Sequence, residues 1–392
     1  MVLIFFLTFA FMWICVPVYF GSLAHQRSYT DKLRIWFIDM DGSDIGNALR
    51  AAVQANINSP TKAKLGWVIE DPSKFSGVDD VAHQVVEERA WAAVVGTRFH
   101  FSRVDNLDIQ GGVVVAVTLF VDTARNELAT NNYIVPYSAA LLSSAIAQFS
   151  TVYAAQYFSA QSGNATALRA ITAAPQTITV PVAFSLANLR PFSAPVATAL
   201  TLVGSIYVII FAFVVTMAGY LLRAPIEPHL TLKQLILLRL TEPILLYIPL
   251  SFGFSMISLC FKVPFNAKFT HAGGFFLYWV FVFLSMTALG LSTEAMVTLL
   301  TPRFMTYFLF PLIISNVSVA SVPIILEPWF YKSSFSFTST LLNSNLGQAT
   351  RTLIFNTKSH LGLNAGVLIS WLVLSFITLP FFGDVEAASK AG

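Results

Sequence analysis

Six stretches of the chain are apolar over roughly 20 residues, the length a helix needs to cross the hydrocarbon core of a bilayer. They lie at 2–21, 195–222, 240–261, 274–300, 304–326 and 363–382. The third holds Pro243 and Pro249 and the fifth Pro311 and Pro323, where helices bend or break.

Between the first and second runs the pattern changes to short elements. The stretch 32–40 (KLRIWFIDM) alternates as a strand, with Leu33, Ile35 and Phe37 on one face. Asp41-Gly42-Ser43-Asp44 follows with turn and helix-start chemistry, and Ile45, Leu49, Ala52 and Val53 then recur at helical spacing. Strands are expected at 65–70, 91–97 and 113–121, a helix bearing Val81, Val85 and Val86, and a long helix over about 133–159. Strands alternating with helices predict an α/β domain.

Composition agrees with a membrane chain. Charged residues make up 11% and hydrophobic ones 56%, with a mean hydropathy of +0.69, whereas soluble domains carry about 25% charged residues. The net charge of +3 comes from scattered Lys and Arg, with no stripe to track a nucleic acid. Cys15 and Cys260 both sit in apolar runs, read as small buried residues, so no disulfide framework is expected.

The resulting expectation is an α-helical polytopic membrane protein with six transmembrane helices, one plus five, and an α/β extracytoplasmic domain. Helix 1 occupies 1–22 and the domain 23–195. Helices 2–5 occupy 196–326, an external apolar loop 327–362, helix 6 363–383 and a cytosolic tail 384–392. The first run could be a signal peptide cleaved after Ala24. Its length and the lack of a basic leader favour an uncleaved anchor, with a cytosolic tail missing ahead of Met1. Arg223, Lys233 and Arg239 flank the second connection between runs, and Arg303 falls in a tight turn between the fourth and fifth. Enrichment of basic residues in cytosolic loops puts both inside, although Lys262 and Lys268 fall on the other side. Asn164-Ala165-Thr166 is a glycosylation acceptor motif, which would place the large segment outside. The match at Asn316 lies within an apolar run.

Catalytic motifs are missing. The chain has no phosphate loop G-x-x-x-x-G-K-[ST], no H-E-x-x-H and no G-x-S-x-G, and its six histidines are dispersed. No enzyme activity, metal or cofactor is therefore expected. Asp39 and Asp41 end a strand, where α/β folds place functional groups, or simply form a solvated turn. The candidate intramembrane polar residues are Arg239, Glu242, Glu294, Asn316 and Glu327, since charge inside a bilayer is expensive. Arg239 and Glu242 are three apart on one helical face. All three glutamates are close enough to helix ends to snorkel. Asn316 is deeper and suits an interhelical hydrogen bond. The loop 327–362 is too polar to span yet rich in Phe and Leu, which predicts helices lying on or dipping into the outer leaflet.

Several stretches together resemble the fungal nitrosoguanidine-resistance membrane protein family, related to the bacterial phage-infection-protein (YhgE/Pip) family and type-2 ABC transporter membrane domains. They include Ala124-Arg125-Asn126-Glu127, Tyr133-Ile134-Val135-Pro136, Asn188-Leu189-Arg190-Pro191-Phe192, Gly273-Gly274-Phe275 and Tyr278-Trp279. Ala288-Leu289-Gly290-Leu291 with Glu294, Glu327-Pro328-Trp329-Phe330-Tyr331 and Leu361-Gly362-Leu363-Asn364-Ala365-Gly366 continue the series. Lys332-Ser333-Ser334 departs from the family's Tyr-Gly pair. The resemblance implies the one-plus-five layout, a plasma-membrane location, re-entrant helices in the second external loop and resistance to toxic compounds.

Two functions are compatible with these features. One is export or redistribution of amphipathic compounds or lipids, drawing on a separate ATPase, another energy source or a passive path. The other is a non-transporting scaffold or regulator whose external domain binds a partner. Either accommodates a homo-oligomer.

Overall fold

The computed structural model describes residues 6, 9–14, 17, 20, 26–40, 42–61, 63–96, 114–166, 169, 182–321 and 342–391. The chain divides into two compact units. One is Gln26–Pro191, and the other combines Met1–His25 with Phe192–Gly392.

The first unit is a mixed sheet covered by helices. Its strands are β1 (Arg34–Asp39), β2 (Gly66–Glu70), β3 (Ala92–Gly96), β4 (Val114–Val121) and β5 (Val182–Asn188), in spatial order β2-β1-β3-β4-β5. β1 pairs in parallel with β2 and β3, β3 antiparallel with β4, and β4 in parallel with β5. The helices are α1 (Asp44–Asn58), α2 (Val78–Val86) and α3 (Val135–Ala160), the last entered through helical turns from Glu127. Ile38, Ala93, Val95 and Phe120 form one core with Val81 and Val85 of α2. Alternation along β1 sends Ile35 and Phe37 to the other face, where α1 and α3 pack on each other. Parallel strands between two helical layers are buried on both faces. All five residues of β3 are buried accordingly.

β5 had no counterpart in the sequence pattern. It is an edge strand between prolines, and its pairing with β4 depends on a neighbour about 67 residues away.

The second unit is helical: α4 (Gly204–Arg223), α5 (Leu232–Cys260), α6 (His271–Ser321), α7 (Leu342–Phe355) and α8 (Leu361–Ala391). Four segments are long and apolar enough to cross a membrane, namely Gly204–Arg223, Leu232–Cys260, His271–Leu300 and Leu361–Phe382. Their surfaces are inverted relative to a soluble bundle. On α5 the buried stripe is Arg239, Pro243, Tyr247, Ser251, Ser255 and Ser258, while Leu237, Leu245, Leu246, Phe252 and Ile257 are exposed. Apolar side chains outside and small or polar ones inside is the arrangement lipid imposes, because lipid tails compete equally for apolar surface.

Two expectations change here. The tight turn at Arg303 is absent, since α6 runs unbroken from His271 to Ser321. No Gly, Asn or Asp lies between 295 and 315 to stop it, and proline alone bends a packed helix rather than ending it. The fifth expected run therefore continues the same helix to Ser321, and its end at 322–326 lies outside the described residues. Cys260 is exposed rather than buried, because it closes α5 beyond the packed stripe. The stretch 383–391 is helical, as the end of α8.

Within this unit α7 packs against α6 and α8. Leu346, Ala349, Leu353 and Ile354 are buried, and Phe355 lies against Phe192 with ring centroids 4.6 Å apart.

Candidate functional site

Four ionisable side chains from three apolar helices meet in the helical unit. Arg223 is the last residue of α4, Arg239 and Glu242 lie early in α5, and Glu294 lies six residues before the end of the apolar part of α6. Arg223 Nη1 donates to Glu242 Oε2 at 2.8 Å. Arg223 Nη2 and Arg239 Nε both donate to Glu294 Oε1, the latter at 2.8 Å. Glu294 is 0% exposed. Two arginines and two glutamates make the set neutral, which lowers the penalty of holding charge away from water. Glu294 Oε2 has no hydrogen-bond partner among the described residues.

Small residues make this close approach possible. A Cβ on Gly219 would lie 3.1 Å from Glu242 Oε1 and 3.3 Å from Arg223 Nη1. One turn deeper, a Cβ on Gly290 would overlap the Tyr247 ring. Tyr247 Oη donates to the Ala212 carbonyl at 3.1 Å, and Thr216 Oγ1 donates to the Gly290 carbonyl at 3.3 Å. The ion pairs and these hydrogen bonds tie α4, α5 and α6 into one packed triplet.

Of the sequence candidates, Arg239, Glu242 and Glu294 come together. Glu294 does not snorkel: it is enclosed by protein because α6 is the central helix of the bundle. The backbone of Asn316 is helical in α6, while its side chain, and all of Glu327, lie outside the described residues. Arg223, read from sequence as a loop charge, is the residue that joins both glutamates. The available signal was its phase with Ala212, Thr216 and Gly219, the buried small-residue stripe of α4.

In the sheet unit, Asn164 is exposed in the turn after α3, open to modification. Asp39 is 6% exposed at the end of β1, so it is not part of a solvated turn. Gly42 N–H donates to its Oδ1 at 2.9 Å, and Arg50 lies 3.9 Å from Oδ2. A Cβ on Gly46 would come within 2.5 Å of the same carboxylate. Asp39 therefore fixes the turn into α1, and Asp41 lies outside the described residues.

The stretches 122–126 and 188–190 meet at the other end of the sheet. Asn188 Nδ2 donates to Thr123 Oγ1 at 2.8 Å, and the Arg190 carbonyl accepts from Ala124 N–H at 3.0 Å. The Arg125 guanidinium stacks on Trp91 and donates to the Ala90 carbonyl at 2.9 Å. Burial pushes the Asp122 carboxyl up to about 6, against the pull of the Arg125 N–H and guanidinium.

The profile of the family described as "Protein of unknown function (DUF3533)" matches residues 4–377. The chain belongs to this family. A curated relative of the DUF3533 chain is the "Uncharacterized endoplasmic reticulum membrane protein YJR015W" of Saccharomyces cerevisiae, 27% identical over 206 residues. That match covers 50% of the chain and 38% of the relative. No solved structure matches. With the four apolar helices, these findings make the chain a helical protein of a membrane family. Neither match carries the nitrosoguanidine-resistance name or a link to ABC transporters.

Proposed function

We propose that this protein exports or redistributes amphipathic compounds or lipids, and that resistance of the nitrosoguanidine type is the resulting phenotype. The observation behind this reading is the buried Arg223–Glu242–Glu294–Arg239 set. Apolar side chains of similar volume often hold helices together as well as buried ion pairs do. Ionic contacts, unlike apolar ones, can exchange partners between two discrete arrangements of the same helices. The set is read as a latch closing α4, α5 and α6 at one end of the bundle. The run at 2–21 adds one crossing to the four apolar helices, and the run at 304–326 begins as a continuation of α6 rather than as a separate helix. Energy would come from a separate ATPase or another membrane partner, and no catalysis by the chain itself is invoked. The printed name of the yeast relative makes the endoplasmic reticulum the compartment to test alongside the plasma membrane.

Cellular accumulation of a toxic amphiphile in a deletion strain tests this reading. Accumulation should rise without the protein and stay raised when Glu294→Gln is supplied at equal abundance. Unchanged accumulation in the deletion strain would end the exporter reading.

A scaffold or regulator is the second reading. The second half of α3 favours it: this 26-residue helix carries no charged side chain, and Val152 and Phe158 on it are 55% and 44% exposed. Deleting residues 30–185 separates the two readings, because a phenotype fully retained without them is incompatible with a scaffold acting through that unit.

A further inference from the structure

α3 (Val135–Ala160) packs into the sheet unit through one buried stripe, Ser138, Leu142, Ala145, Ile146 and Ser150. No residue from Thr151 to Ala160 is buried. Phe149, Tyr153 and Tyr157 carry the stripe onward, with successive ring centroids 5.9 and 6.2 Å apart.

The opposite face is built differently. Ala140, Ser144, Ala147, Thr151, Ala155 and Ser159 recur every three or four residues and are all exposed. At about 100° per residue they lie on the far side of the helix from the buried stripe. Phe158, 44% exposed, shares this face, and Val152, 55% exposed, borders it. Ser144 donates its hydroxyl proton to the Leu141 carbonyl at 2.9 Å, and Thr151 to the Ala147 carbonyl at 3.0 Å. These hydroxyls are satisfied on their own helix and need no outside partner. Small side chains at four-residue spacing let a second helix approach closely. The helix carries no charged residue, whereas a face left to water normally does.

The absence of charge says what covers this face. A symmetric contact between two copies sets one patch against its own duplicate, so a charge near the axis meets a like charge. This face carries none, and a charged partner would find nothing on it to pair with. Helices that lie on a lipid surface grip it with Lys and Arg, which α3 lacks. From Ala140 to Ser159 the face is about 28 Å long and one helix, about 10 Å, wide. That is well under the roughly 800 Å² a side of complexes between freely diffusing proteins. Two chains anchored in one bilayer meet at a raised effective concentration, so a smaller contact suffices.

We propose that the small-residue face of α3 pairs with the same face of a second copy, making the protein a homodimer through its sheet unit. This rests on the helix that favours the scaffold reading and names its partner.

The test uses the full chain in phosphatidylcholine vesicles, with Cys15→Ala and Cys260→Ala to remove the native thiols. Ala147→Cys, Thr151→Cys and Ala155→Cys are introduced singly, with Ser73→Cys, exposed beyond β2, as the control. Copper-phenanthroline oxidation should link most chains into dimers from at least one α3 position and from the control in none. Thr151→Arg with Ala155→Arg should reduce the cross-link at Ala147→Cys about tenfold or more, by like-charge repulsion across the axis. The thermal midpoint of the sheet unit should be unchanged, since both positions are exposed. Ala155→Arg alone serves if the double variant does not fold. No cross-link from the three positions, equal cross-linking from Ser73→Cys, or a cross-link unmoved by arginine overturns the dimer. Alkylation of Ala155→Cys by a lipid-borne maleimide in place of cross-linking also overturns it, with lipid as the cover. A phenotype retained after deletion of residues 30–185 ends the scaffold reading and leaves a cross-linked dimer standing.

Discussion

Arg223 and Glu294, 71 residues apart in sequence, form an ion pair buried between two apolar helices. Removing one partner of such a pair strands the other's charge in a poorly solvated place, which costs about 3–5 kcal/mol. Glu294→Gln should therefore lower the thermal midpoint in detergent sharply. Combining it with Arg239→Met should recover part of the loss, with a coupling of about 1–3 kcal/mol. Additive effects would show that the two residues act independently.

Gly290 and Tyr247 make a steric prediction. Because a Cβ on Gly290 would overlap the tyrosine ring, Gly290→Ala should destabilise the helical unit by about 1–3 kcal/mol. Gly290→Ala with Tyr247→Leu should regain much of it, read as the detergent melting temperature. Equal losses in the single and double variants would argue against that contact.

Asp122 sets a pH dependence in the sheet unit. Its carboxyl is raised from 3.8 to about 6 by burial, so the folded state holds this proton more tightly than the unfolded chain. The contribution to stability is greatest at low pH and falls as pH rises from about 4 to 6. Amide exchange of β4 should be slower at pH 5 than at pH 7 after correction for intrinsic rates. Asp122→Asn should flatten this difference and protect β4 at pH 7.

Asn164 reports sidedness. If the sheet unit faces the lumen or the exterior, the cell-expressed protein should carry an endoglycosidase-sensitive glycan that Asn164→Gln removes. A mobility insensitive to both treatments would withdraw that support for an outside location.

The period of the apolar pattern made four strands and the helices of the sheet unit legible. Ile35 and Phe37 alternate, and Ile45, Leu49 and Val53 repeat as a helix must to bury one face. β5 was hidden because an edge strand between prolines carries a weak pattern of its own and takes its register from β4. In the helical unit the apolar runs marked the helices, but the extent of α6 was misread at Arg303, since hydropathy records composition and not where backbone hydrogen bonding stops.

By itself, the sequence determined that this chain is a membrane protein with a separate α/β segment. Those properties follow from local averages, namely the length of apolar runs, their period and the scarcity of charge. Glu294 and Arg239 were visible as costly residues, yet their partnership was not. Arg223 looked like an ordinary loop charge until the helices were packed. Only the tertiary structure decided which charges neutralise one another and that Gly219 leaves room for them. The reason is physical: pairing and desolvation depend on distances between helices, and no run of neighbouring residues encodes a distance to a helix 71 residues away.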